Sequence, residues 1–475
     1  MNKTVSFALS HFFRYCLLIL TICIGASSCK KDSFITSGDA RISTSVDSLK
    51  YDTVFTSIGS ITQSFKISNL NAQKLLIDKV KLMGGSASSF TININGYATS
   101  ELSGVEIAAG DSMYVFVTAT INPNTANLPF IVKDSIQILY NGNTRFVQLE
   151  AFGQNANFLR DRVLRGDITW NNNLPYVILG SLVVDTTASL TIESGCRIYA
   201  HADAPIIIDG TLTVNGTSQE RVVFASDRLD EDYRDFPASW PGIYFRGSSK
   251  NNLLRFATVK NAYQAIVSEQ PSVNGNPKVT IQQSIIDNAY DAGILGVNSS
   301  IAVSNSLISN CGRNVQFIYG GDYSLTNCTV ASYSTFISHK DPVLSVNNFA
   351  SLNGALITTD LSATFRNCIF WSGDGTIDNE LSIEKQGTNM FTVTFDHCLY
   401  KAATDPANSN YNMVIKNQDP LFDSVDVAKG IFDFRITKNN AAPGINKGVP
   451  TGMMKDLDDN PRNVGAPDIG CYEKQ

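Results

Sequence analysis

Polar and apolar residues alternate along most of this chain, and between Lys278 and Ile337 the alternation repeats with a fixed period. Three segments align without gaps: Val279-Thr-Ile-Gln-Gln-Ser284-Ile-Ile-Asp-Asn288, Ile301-Ala-Val-Ser-Asn-Ser306-Leu-Ile-Ser-Asn310 and Tyr323-Ser-Leu-Thr-Asn-Cys328-Thr-Val-Ala-Ser332. Ser284, Ser306 and Cys328 are 22 residues apart, as are Asn288 and Asn310. Looser copies place Cys368 after 40 residues and Cys398 after 30 more, and an earlier one places Ala257 27 residues before Ser284. Apolar positions recur every second residue, the period of a strand, and Asn, Gly, Ser or Asp separates the copies as turns. A period near 22 is too short for a helical hairpin, and the leucine-rich phrase Leu-x-x-Leu-x-Leu-x-x-Asn is absent. Short strands in fixed register, with no helical pattern between them, predict a parallel β-helix whose coils lie about 4.8 Å apart.

In such a coil Ala257, Ser284, Ser306, Cys328, Cys368 and Cys398 form one inward column of small side chains where the wall bends. Ile285, Ile286, Leu307, Ile308, Ile369 and Phe370 supply larger packing beside it. Asn288 and Asn310, with Asn261 before them, fall in the next turn, where stacked amides can bond from coil to coil. The same register puts Asp287, Ser309 and Ala331 in one row and Asp291, Arg313 and Thr335 in another. Asp291 and Arg313 are therefore expected to pair across coils. No row of this register joins two acids, or an acid with Lys and a further carboxylate, and that argues against a catalytic row.

Before the repeat, alternating runs such as Phe65-Lys-Ile67, Leu75-Leu-Ile77, Phe90-Thr-Ile92 and Met113-Tyr-Val115 are separated by Gly, Asn and Pro, predicting a β-sandwich over residues 47–155. Phe65-Lys-Ile-Ser-Asn69, Leu75-Leu-Ile77 and Ala109-Gly-Asp-Ser-Met113 resemble the immunoglobulin-like modules set before other domains in bacterial surface proteins. Farther on, Ile208-Asp-Gly-Thr-Leu-Thr-Val-Asn-Gly-Thr217, Val223-Phe-Ala-Ser226 and Trp240-Pro-Gly-Ile-Tyr-Phe245 resemble right-handed parallel β-helix proteins of the pectate-lyase-like superfamily. The tail, with Asp419-Pro-Leu-Phe422, Phe432-Asp-Phe-Arg435, Ala442-Pro-Gly-Ile-Asn-Lys-Gly448, Asp456-Leu-Asp-Asp-Asn-Pro-Arg462 and Asp468-Ile-Gly-Cys-Tyr-Glu473, resembles the terminal module described as choice-of-anchor Q. Cys471 departs from that pattern, since such tails often carry a small residue such as Ala there. The fold class these resemblances imply is all-β: an N-terminal immunoglobulin-like β-sandwich, then a single-stranded right-handed parallel β-helix over 156–415. Residues 416–475 are expected to close the last coil. The superfamily holds lyases, hydrolases, epimerases and adhesins, so the resemblance implies architecture rather than chemistry.

The chain begins with Lys3 and Arg14, an apolar run over residues 15–25, then Ala26-Ser-Ser-Cys29. This resembles a bacterial lipobox, which implies removal of residues 1–28 and lipidation of Cys29. Lys30-Lys31-Asp32 resembles surface-export signals of Bacteroidetes-type lipoproteins. Together they imply anchoring to the outer membrane through lipid, with surface exposure, and residues 29–46 serving as a tether. Loss of Lys3 and Arg14 with no acid takes the formal net charge from −6 to −8. An acidic chain without a basic tract argues against nucleic acid as a partner. Cys196, Cys311, Cys328, Cys368, Cys398 and Cys471 are expected free, because stacked neighbours lie beyond usual disulfide spacing. There is no Cys-x-x-Cys, and His201, His339 and His397 are scattered, so no zinc site is expected.

The densest acidic stretch, Asp227-Arg-Leu-Asp230-Glu231-Asp232-Tyr233-Arg234-Asp235-Phe236, projects between two coils. Asp230, Asp232 and Asp235 could engage hydroxyls or Ca²⁺. Tyr233, Trp240 and Tyr244 could stack on sugar faces, although Trp240 also suits the wall. Asp291 and Arg313 complete the candidate ligand-binding set. Asp456, Asp458, Asp459 and Asn460 form a second candidate calcium loop; otherwise no cofactor is implied. Arg462 is expected to clamp Asp456, Asp458 or Asp468, and His339 could supply a base. The function expected is binding of an extended partner, a polysaccharide or a surface or matrix protein, by a monomer and without catalysis. A lyase or glycoside hydrolase is the alternative; it requires two carboxylates, or a carboxylate with Lys or Arg, within about 10 Å in one open groove.

Overall fold

The computed structural model describes residues 33–56, 59–123, 129–231, 233–333, 336–373, 376–438, 440–462 and 464–475. The signal segment and Cys29 lie outside the described residues. The chain divides after Gln154 into two compact units.

The first unit contains two five-stranded sheets. One orders Ile42–Thr44, Gln63–Asn69, Ser112–Ala119, Phe90–Ile94 and Tyr97–Ala98; the other orders Ser48–Phe55, Asn143–Gln154, Phe130–Tyr140, Leu75–Leu82 and Glu101–Ile107. Alternation along each strand turns Phe65, Ile67, Val115, Leu75, Ile77, Ile136 and Val147 into one shared core. The tether expected over 29–46 needs correction in its described part. Ile42–Thr44 pairs antiparallel with Gln63–Asn69, and Ala40 and Ile42 are buried. Two apolar side chains two residues apart are enough to add an edge strand to a sheet with one face already packed.

The second unit winds a parallel β-helix with three strands per coil. One coil consists of Val279–Gln282, Ile285–Asp287 and the first half of Ala292–Ser304. The first wall stacks Val279 on Ile301 and Tyr323, the second Ile285 on Leu307 and Thr329, and the third Ile294 on Val315 and Leu344. The 22-residue period is therefore one coil; longer periods carry loops, and the last coil, which stacks Leu399 on Ile415, is shorter.

The predicted small-residue column lies inside. Ala257, Ser284, Ser306, Cys328, Cys368 and Cys398 are each no more than 1% exposed. Each follows a residue in the left-handed region: Phe256, Gln283, Asn305, Asn327, Asn367 and His397, with φ between 46° and 53°. The chain turns sharply there, and the next side chain meets the carbonyl two residues back. Ser284 Oγ donates to Gln282 O at 2.8 Å, Ser306 Oγ to Ser304 O at 2.7 Å and Cys368 Sγ to Arg366 O at 3.2 Å. All six described cysteines are free and buried.

The C-terminal segment meets the last coil at its start, where Asn417 bonds to Tyr400 and Ala402. It runs back along the corner between the first and second walls. Asn367 Nδ2 donates to Val449 O, Asn327 Nδ2 to Thr451 Oγ1, Asn305 Nδ2 to Lys455 O, Gln283 Nε2 to Asp456 O and Arg221 Nη2 to Leu457 O. Five coil corners thus each offer one side-chain donor to an irregular segment that needs partners, and the corner at Phe256 is passed over. Phe434, Leu457, Cys471 and Tyr472 pack on the outward side chains Leu307 and Ala331.

Arg462 is buried in this segment, but its partners differ from those expected. It donates to Glu473 Oε2 at 3.1 Å, Asn305 Oδ1 at 2.9 Å and Gly470 O at 2.9 Å. Asp456 accepts backbone N–H groups of Asp458, Asn460 and Glu473, and Asp468 those of Asn446 and Lys474. Asp458 pairs with Arg435 and Asp459 with Lys455. The second calcium loop is therefore a structural knot whose carboxylates are already engaged. His339, the candidate base, is buried against Glu380 at 3.1 Å.

Candidate functional site

The corner after the second wall repeats Asn261, Asn288 and Asn310, all left-handed, with φ of 62°, 57° and 52°. Asparagine tolerates this conformation better than other side chains that have a Cβ. The predicted ladder exists over two rungs: Asn288 Nδ2 donates to Asn261 Oδ1 at 2.9 Å. Asn310 leaves it, its Nδ2 donating to Asp287 Oδ1 at 3.3 Å. The ladder also grips the acidic insertion, since Asn261 Nδ2 donates to Arg234 O at 2.6 Å and Asn288 Nδ2 to Asp235 O at 2.7 Å.

That grip places Asp235 beside Lys260, with Nζ 3.4 Å from Oδ1. Lys260 is in register with Asp287 on the next coil, and Asp287 with Ser309 on the one after. Within the row Lys260 meets one acid and no further carboxylate, as the sequence reading has it. The row holds Lys260 and Asp287, and the insertion brings Asp235 to it. With Asn261, Asn288, Asn310, Phe336 and the turn Val427–Lys429 they line a cleft of about 590 Å³.

Asp287 Oδ1 accepts from Ser309 Oγ at 2.6 Å as well as from Asn310. Its other oxygen has no hydrogen-bond partner among the described residues. Loss of water in the cleft floor pushes the Asp287 carboxyl up, and Asp235 adds to this; Ser309, Asn310 and Lys260 oppose it. The cleft therefore offers an acid that keeps its proton to higher pH than usual, a second carboxylate, two cations, Lys260 and Lys429, and three amides. It can donate and accept toward hydroxyl groups, and it has the composition of an acid–base site.

The other candidate residues divide between this cleft and elsewhere. Asp230 is held bidentate by Arg228 at 2.7 and 2.9 Å, and that guanidinium lies 4.3 Å over the Tyr233 ring. Both brace the insertion from within, and Tyr233 also meets Phe236 edge-on at 5.3 Å. Asp232 lies outside the described residues. Trp240 is 1% exposed and donates Nε1–H to Lys260 O at 2.9 Å, so it belongs to the wall and not to a ligand surface. Tyr244 lies on the third wall, where it lines an apolar recess with Ile207 and Val267 that Asp230 and Asp235 do not enter, while Asp291 stays close to its phenol. Asp291 and Arg313 pair as expected at 2.8 Å, at the corner between second and third walls. No group of three or more His, Cys, Asp or Glu positioned for a metal occurs among the described residues.

The strict 22-residue register reaches Asp287 but not Lys260. The 27-residue step from Asn261 to Asn288 carries Lys260 to Asp287 one position earlier.

Residues 162–270 match the family described as a pectate-lyase like beta helix domain. No curated protein matches the sequence. Among solved structures, the catalytic unit of a GH87 alpha-1,3-glucanase from Streptomyces thermodiastaticus shares 12% identity over 77% of this chain and 90% of its own, with a TM-score of 0.22. A protein of unknown function from Porphyromonas gingivalis shares 12% over 26% of this chain and half of its own length, with a TM-score of 0.19. A family 123 glycoside hydrolase from Clostridium perfringens shares 9% over 24% of this chain and 26% of its own, with a TM-score of 0.17. Such distant likenesses carry no chemistry to this chain.

Proposed function

We propose, with residues 162–270 forming a pectate-lyase-like β-helix domain, that the protein binds an extended glycan along the second wall of its coil, in the cleft of Asp235, Lys260 and Asp287. The remainder of the account is part of the proposal: a lipid on Cys29 holds the chain at the outer membrane, an immunoglobulin-like spacer precedes the coil, and the winding is right-handed. What carries the reading is the mixed donor and acceptor lining of one open cleft, built by residues from three coils, the acidic insertion and the C-terminal turn. Neutral hydroxyls, which both donate and accept, suit that lining better than a polyanion, which would meet two carboxylates. Retention of the full chain on an array of neutral glycans, lost in Lys260→Met, is the expected result. Equal retention of both proteins, or none by either, contradicts it.

One observation favours a second reading, turnover of the bound glycan. Asp287 is pushed toward the protonated form with Asp235 in the same cleft, which is the division of labour an acid–base pair needs. Release of shorter oligosaccharides from a retained glycan, abolished in Asp287→Asn, would establish it; retention without products leaves binding alone.

A further inference from the structure

Beside the cleft, two residues further along the same coils, Tyr263 and Tyr290 stack with ring centroids 5.8 Å apart and planes 23° from parallel. They are 45% and 52% exposed, and neither hydroxyl has a hydrogen-bond partner among the described residues. Stacking along a parallel β-helix continues only while each coil supplies a ring. Here the next coil supplies Gly312, whose backbone N–H donates to Ala289 O at 3.0 Å. A Cβ on Gly312 would lie 2.2 Å from Tyr290 O, so this position admits no side chain. The stack therefore stops at Tyr290, and its next place, over Gly312, is a gap in the row of rings.

The rim of that gap is polar and braced. Arg313 Nη1 donates to Asp291 Oδ1 at 2.8 Å, Gln264 Nε2 donates to Asp291 Oδ2 at 2.7 Å, and Arg313 Nε lies 3.8 Å from Asp341. Tyr244 is close enough that Tyr263 and Asp291 raise its phenol further, after burial. We propose that this corner is a pyranose subsite, in which a sugar ring continues the stack on Tyr290 over Gly312 and its hydroxyls meet Asp291, Arg313 and Gln264. The inference rests on the glycan reading of the cleft and extends it by one position. A pyranose has an apolar C–H face for the tyrosine and hydroxyls that donate to the carboxylate and accept from the guanidinium. A planar anion would meet Asp291 and Asp341, and an aromatic side chain would stack but leave the charged rim desolvated.

The test is calorimetry on the full chain in detergent, with cellohexaose, laminarihexaose and maltohexaose as probes. Tyr290→Ala is expected to weaken the best probe roughly tenfold or more, Tyr290→Phe to stay within about twofold, and excess N-acetyltryptophanamide not to compete. Both substitutions lie at an exposed position, so unfolding midpoints are expected to stay unchanged. Loss in Lys260→Met with wild-type binding in Tyr290→Ala overturns the subsite and leaves the cleft reading standing. Loss in Tyr290→Ala with wild-type binding in Lys260→Met keeps the subsite and overturns the cleft. Competition by the tryptophan amide overturns the sugar assignment, and failure of the unaltered chain to bind any probe overturns both readings.

Discussion

Lys260 and Asp287 occupy the same position on successive coils, and the two Asn residues that follow them hold Asp235 against the pair. This arrangement makes the Asp287 carboxyl responsive to its neighbours in opposite directions. Lys260→Met removes a positive charge that favours the ionised form, so the Asp287 titration midpoint should rise. Asp235→Asn removes a negative charge that disfavours it, so the midpoint should fall. Carboxyl ¹³C shifts followed against pH read both; shifts of the same sign would contradict the assigned geometry.

Asn367 combines a left-handed backbone with a double clamp on the C-terminal segment. Its Nδ2 donates to Asn327 Oδ1 and Val449 O, both at 2.8 Å, and its Oδ1 accepts from Val449 N at 3.0 Å. Asn367→Ala should cost about 2–4 kcal/mol from φ strain and the lost hydrogen bonds. Asn367→Gly should cost less, because glycine keeps the φ. Urea unfolding, with proteolysis of the tail as a second probe, separates the two variants.

Cys368 sits in the inward column between Cys328 and Cys398. Cys368→Ser should cost under about 1.5 kcal/mol, because a hydroxyl there can donate to Arg366 O as Ser284 and Ser306 do to theirs. Cys368→Leu should cost about 1–3 kcal/mol or more by overfilling the bend. Denaturation midpoints in the order wild type, Ser, Leu are expected.

The column, the Asn corners and the coil period were legible because each coil asks the same of the same position. Ser284, Ser306 and Cys328 repeat a small side chain after a left-handed residue, and that need is local. The Asp291–Arg313 pair followed from the same register. What escaped were features set by chain that does not repeat. Asp235 reaches Lys260 only because the insertion folds back under the amides of Asn261 and Asn288. The path of residues 449–457 along five corners depends on donors spread from Arg221 to Asn367, which no local pattern announces. Trp240 and Tyr244 were placed with the acids by proximity in sequence, yet Trp240 is buried in the wall and Tyr244 points outward from the third wall.

Glu473 gives the tail a pH dependence. Burial pushes its carboxyl up to about 7 from an ordinary 4.5, with Arg462 opposing and Asp468 and Asp456 adding to the shift. A raised carboxyl favours the folded state while protonated. Its contribution is full below about pH 4.5 and is lost as pH rises through 7, a change on the order of 3 kcal/mol. Glu473→Gln should remove that slope and be no less stable than wild type at pH 8, whereas Arg462→Met should cost about 3–5 kcal/mol by stranding buried carboxylates. Chemical denaturation at pH 5 and pH 8 measures both.

Hydrogen exchange of the full chain with and without the best-bound neutral hexasaccharide tests the wall most directly. Slowed exchange is predicted for backbone amides at 234–236, 260–264, 287–291 and 309–313, with the rest of the third wall and the sandwich unchanged. Protection confined to any other face, with those four segments exchanging as before, would contradict the account.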